Sequence, residues 1–189
     1  MKSRIAVFAV MAMSSAIAFG GVKIGVADMA VLMRNHRDYE RNEKLLESTD
    51  KDYKRALEEI EAEGEKLQDE GRRYAEQLRN PMLNEKSKAD AEKSLAQLQE
   101  KLNEIGQRYR TKALSCQREL ADLRARLVKT VADELKKTID EYAEDNDYDL
   151  IIDSAAALHS NSSIDVTGEL LKKLGVNPEE AKGKTDESK

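Results

Sequence analysis

The 189-residue chain carries 32 basic and 37 acidic side chains, with two histidines, one cysteine and no tryptophan. An acidic balance excludes non-specific nucleic-acid binding, which depends on clustered positive charge releasing counterions from phosphates. A single cysteine excludes an intrachain disulfide, and 37% charged against 4% aromatic residues is the composition of long helices and coiled coils.

Residues 1–20 have the form of a cleaved signal peptide. Lys2 and Arg4 form its positive start, Ile5 to Met13 its apolar stretch, and Ala18 and Gly20 the small residues before cleavage. A transmembrane anchor would need about 20 consecutive apolar residues, and Ser14, Ser15 and Lys23 interrupt this run. Loss of Lys2 and Arg4 leaves 30 basic against 37 acidic residues, a mature net charge of about −7. The mature chain is expected to be soluble on the far side of the membrane.

Val22 to Ala27 has strand character, with Val22, Ile24 and Val26 on one face. From Asp28 to Asn80 no proline intervenes, and an unbroken helix is predicted. Within it Leu46, Tyr53, Ile60, Leu67 and Tyr74 recur every seven residues, with Leu57 and Leu78 at the matching second positions of the heptad. Pro81 marks a tip near residues 80–84. After it, Leu95, Leu98, Leu102, Ile105 and Tyr109 form a second seam in steps of three and four.

Reversal at Asn80-Pro81-Met82 sets Leu67 opposite Leu95 and Leu98, and Ile60 opposite Leu102 and Ile105. It also brings Tyr53 near Tyr109, and Leu46 near Cys116 and Leu120. The result is an antiparallel arm over residues 46–118, on the order of 50 Å long. Gly64 and Gly71 fall inside the first seam, where each costs roughly 1 kcal/mol of helix stability relative to alanine. Either they let the helices approach closely or they keep the arm bendable.

From Leu120 through Leu127, Val131, Leu135, Ile139 and Tyr142 the apolar steps are mostly of four, a wider face suited to a globular body. Tyr148 to Asp153 reads as a second strand, with Tyr148, Leu150 and Ile152 on one face, and a third is expected around Ala156 to His159. Asp165 or Thr167 can cap a last helix through Leu170, Leu171 and Leu174 that ends at Gly175. Residues 176–189 are polar and expected to be disordered. The predicted fold class is mainly α with a small β body. A long antiparallel coiled-coil hairpin arm projects from a β-sheet or barrel body built from residues 21–45 and 119–175. Two or three strands are marginal alone and their edges invite pairing, so the body is expected to oligomerise around Ile24, Val26, Leu150 and Ile152.

The opening VKIGVADMAVLM and the closing DYDLIIDSAAALHSNSSIDVTGELLKKL resemble the two ends of the Skp-like, or OmpH-like, family of periplasmic chaperones for outer-membrane proteins. Asp165-Val166-Thr167 matches the family's Asp-Ile-Thr-like signature before the last helix, and the similarity covers residues 21 to about 175. The resemblance implies a homotrimer with a β-barrel body and three helical arms around a cavity for unfolded clients. It also implies contact with membrane surfaces through basic arms, from which this acidic chain departs. His159 stands where a tyrosine is common in the family.

Chemistry is sparse. His36 and His159 lie far apart and outside metal-ligand spacing, and Ser160, Ser162 and Ser163 fit a polar turn better than a nucleophile. Acidic runs such as Glu58-Glu59-Ile60-Glu61 fit solvated helix faces, so no cofactor, metal or catalytic residue is expected. Client contacts are expected at Met82 and Leu83 of the tip, and at Tyr39, Tyr53, Tyr74 and Tyr109, although the last three could simply fill the seam. The function that the resemblance implies is a holdase for unfolded outer-membrane proteins, working without ATP. A structural spacer or scaffold of the cell envelope is the alternative.

Overall fold

The computed structural model describes residues 21–181; the expected signal peptide and residues 182–189 lie outside them. Strands and α-helices follow as β1 (Ile24–Ala27), α1 (Met29–Arg34), α2 (Tyr39–Leu78), α3 (Glu85–Asp145), β2 (Leu150–Asp153) and α4 (Thr167–Lys173). Helices α2 and α3 pack along each other as a hairpin, and its two ends meet in a small body with a two-stranded sheet. The fold is therefore mainly α with a small β body. At 61 residues and 1.5 Å per residue, α3 is about 90 Å long and runs through both arm and body.

In the body, β1 and β2 pair in parallel, Ile24 beside Leu150 and Ala27 beside Asp153. Parallel strands need a long crossover, and here the whole hairpin serves as one. A Cβ at Gly25 would lie 3.1 Å from Cε1 of Tyr148 and 3.3 Å from Cγ1 of Ile151, so this position favours glycine. The core combines Ala27, Leu32, Leu135, Val166, Leu170 and Leu171. Asp28 accepts the Val31 N–H to cap α1, while its own N–H donates to Oγ1 of Thr167 at 2.9 Å. The Thr167 hydroxyl donates in turn to Asp165 at 2.6 Å, which ties the start of the chain to its last helix. Gly175, at φ 79°, ends α4 as expected.

Several expectations are corrected. The first helix is not continuous: α1 ends at Arg34, and Asn35 to Asp38 form a break before α2. Asn35 bonds back to the Val31 carbonyl through its side chain, and such local bonds compete with helix continuation. The seam register is displaced by about two turns toward the base, where Tyr53 meets Glu119 rather than Tyr109, and by less than one turn toward the tip, where Gly71 adjoins Leu95. The turn uses residues 79–84 together with the start of α3, so the hairpin axis falls past Pro81.

No strand forms at Ala156 to His159. Ser154–Ala156 is a 3-10 turn, and the extra neighbour of β1 is instead Asp165, in an isolated bridge to Val26. The expected disordered tail is folded over its described part, since a helical turn begins at Asn177 and Ala181 is buried in the core.

Leu135 is only 1% exposed at the point where α3 enters the body. Leu135→Ala is expected to destabilise the fold by about 2–5 kcal/mol, read by urea denaturation. A loss below about 1 kcal/mol would show that this core closes over the cavity with little penalty.

Candidate functional site

The arm is two helices thick, so a partner can reach only its tip, its outer faces and the gaps in its seam. At the tip, Oδ1 of Asn80 accepts the Met82 N–H at 3.0 Å, and Oδ1 of Asn84 caps α3 by accepting the Ser87 N–H at 2.9 Å. Pro81 between them fixes the backbone and removes a donor. Met82 stands 89% exposed, whereas Leu83 is half-buried. The turn therefore offers one free methionine rather than an equal pair of apolar side chains.

Along the seam, Tyr53, Tyr74 and Tyr109 are half-buried. The Tyr53 hydroxyl donates to Oε2 of Glu119 at 2.8 Å, and the Ser115 hydroxyl donates to the other carboxylate oxygen at 2.5 Å. The carboxylate acceptor raises the Tyr53 phenol above its ordinary range, while the bonds from Ser115 and then Tyr53 lower Glu119. Glu61 raises Tyr109 in the same way, and Arg108 pairs with Glu63 nearby. Rings fill the seam, and the hydroxyls of Tyr53 and Tyr109 engage the opposite helix. These polar clamps end at Glu63 and Arg108, and none joins the helices farther toward the tip among the described residues.

The two glycines lie where the clamps end. A Cβ on Gly64 would be 3.4 Å from Cγ2 of Ile105, and one on Gly71 would be 3.8 Å from Cδ1 of Leu95, both ordinary contacts. Close approach therefore does not require glycine at either place. Open grooves of about 550 Å³ and about 440 Å³ border Gly64 and Gly71 respectively.

Tyr39, at the start of α2, is exposed and stands about 60 Å from the tip, the length of its 40-residue helix. The six candidate contact residues thus spread along the whole arm and do not converge on one pocket. Of the residues expected to hold copies together, Val26 is buried and Ile152 half-buried within one chain, whereas Ile24 and Leu150 pair side by side and face outward.

One cluster had no signal in the sequence, because Glu134 lies far along the chain from His36 and Asp38. His36, in the break before α2, is buried, its Nδ1 accepts the Asp38 N–H, and its Nε2 lies 3.3 Å from Glu134 of α3. Asp38 completes a set of three ligating groups within 4.8 Å. Both carboxylates already face guanidinium groups, Arg37 on Glu134 at 3.2 Å and Arg41 on Asp38 at 3.2 Å. Charge is thereby balanced by protein groups, and the cluster pins the base of α2 to α3.

A family model described as "OmpH: Outer membrane protein (OmpH-like)" matches residues 23–174. No curated protein matches the chain.

The clamp on Glu119 has a measurable consequence. A carboxyl lowered in the folded state adds stability above the unfolded carboxylate range and loses that contribution as pH falls through its folded value. Tyr53→Phe removes one of its two hydroxyl donors. The Glu119 carboxyl should then titrate at higher pH in a 13C NMR titration, whereas an unmoved titration would leave the lowering to Ser115 and Lys112.

Proposed function

The chain belongs to the OmpH-like family, and on that premise we propose that it is a periplasmic holdase, working without ATP, for unfolded outer-membrane β-barrel proteins. The observation that carries this reading is the family match across both arm and body. In this reading the chain is exported by its signal peptide and assembles as a homotrimer. Ile24 and Leu150, exposed in one chain, join Val26 and Ile152 where three bodies meet. Three arms then surround a cavity, and no catalysis or cofactor enters the mechanism. No helix among the described residues is long and apolar enough to cross a membrane.

Physical chemistry supports a dispersed mode of holding. Unfolded barrel strands alternate apolar and polar residues, and release without ATP requires many weak contacts rather than one tight pocket. The arm suits this, with Met82 free at the tip and tyrosines along its length. Some of its charges are paired along α2, as in Lys51 with Glu47 and Lys54 with Asp50, and exposed pairs of this kind are worth little.

The direct test is whether the purified chain keeps a denatured barrel protein in solution while light scattering gives the mass of three chains. A spacer or scaffold would let the barrel protein precipitate. Met82→Ser with Leu83→Ser should weaken holding while helicity and particle mass stay unchanged, and binding should fall only mildly as salt is raised. Collapse of binding with salt, together with no effect of the tip substitutions, would transfer the role to Arg72, Arg73 and Arg79.

Gly64 and Gly71 supply slack that lets the arms fit clients of different size. Alanine at both should add about 1 kcal/mol each to stability and narrow the range of client sizes held. Equal holding of small and large barrels by that variant would remove the glycines from the mechanism.

A further inference from the structure

The base of the arm contains an apolar groove that neither the body nor the seam fills. Met33 of α1, Tyr39 and Leu46 of α2, and Leu127, Val128 and Val131 of α3 line a space of about 180 Å³. An apolar protein cavity of about 150 Å³ holds a benzene-sized group, so this groove has room for one aliphatic or aromatic side chain. Its rim is polar, with Asn42 and Glu43 on α2 and Arg124 on α3. Neither Glu43 nor Arg124 has an ion-pair partner among the described residues. Glu43 can only accept hydrogen bonds, Arg124 can only donate, and Asn42 can do both.

We propose that this groove is a client subsite that takes one apolar side chain of an extended chain, while the rim bonds the polar groups on either side. An extended segment presents backbone N–H and C=O groups beside every side chain, and in an unfolded barrel strand each apolar residue is flanked by polar ones. Mixed donors and acceptors around one apolar slot complement that pattern. A second copy of this chain fits less well. A stable interface needs about 800 Å² per partner, whereas the exposed large apolar residues here are Tyr39, Leu45 and Val128, set among Lys44, Glu47, Arg126 and Lys129. The subsite rests on the proposed holding function and adds to it a contact at the base, distant from Met82.

The test uses the full mature chain with a photo-crosslinking phenylalanine analogue at Val128, and separately at Met82. The probe is a synthetic peptide alternating leucine or tyrosine with serine, compared with a peptide of the same composition arranged in blocks. Crosslinking at Val128 is expected with the alternating peptide, and Tyr39→Ser with Val128→Ser should weaken its binding about tenfold, the loss of one buried side chain. Circular dichroism should be unchanged, because both residues are exposed. Crosslinks at Met82 alone with unchanged affinity would overturn the subsite, as would crosslinks from Val128 to another copy or a fall in particle mass for the serine variant. If the unmodified chain cannot keep a denatured barrel protein soluble, the holding function itself fails; retained holding with any of those three results removes only the groove.

Discussion

The parallel pairing of Ile24–Ala27 with Leu150–Asp153 closes the molecule at the base of its hairpin. A two-stranded sheet is marginal in water, so this pairing persists only because other groups cover it. Leu32, Leu135 and Leu170 bring three helices onto it with almost no exposure, and the bond from the Asp28 N–H to Thr167 joins the first helix cap to the last. Without that closure α2 and α3 would be held by their seam alone. Because α3 passes unbroken from arm to body, any strain at the base is also carried into the arm.

Above the base the design changes from burial to surface. The seam is narrow, and ion pairs four residues apart, such as Lys51 with Glu47 and Lys54 with Asp50, neutralise neighbouring charges on one helix. Exposed pairs of this kind contribute little stability and leave little net field. A body for anchoring and an arm for contact are thus built from different physics. The body depends on a few fully buried leucines, while the arm depends on length and on many small contacts.

Much of this was legible in the sequence because it follows from period and punctuation. The heptads through Leu46, Tyr53 and Ile60, the turn at Pro81, the two strands and the stop at Gly175 are local signals with local causes. What escaped depends on three-dimensional meeting. The break at Asn35 to Asp38 contains no proline, and the partner that secures it, Glu134, is far along the chain. The register slipped because a heptad repeat fixes a face but not a partner, and the turn used more residues than Pro81 alone suggests. Ala156 to His159 has strand character but begins in the 3-10 turn directly after β2, and Asp165 already occupies the open side of Val26. The exposure of Met82 was legible from its place at a turn, whereas the half-burial of Leu83 beside it was not.

The arm's internal contacts also divide it along its length. Cross-helix polar bonds begin at the base with His36, Arg37 and Glu134, continue through Tyr53 with Glu119, and stop with Arg108 and Glu63. Beyond that point the helices meet through apolar residues such as Ala91 and Leu98, beside open grooves and past two glycines. Hydrogen bonds are directional and fix a register, whereas apolar contacts tolerate sliding and bending. The proximal arm is therefore joined by directional bonds as well as apolar contacts, and the distal arm by apolar contacts. Gly64 sits at the boundary between the two, where removal of a side chain weakens the helix at the place the clamps cease.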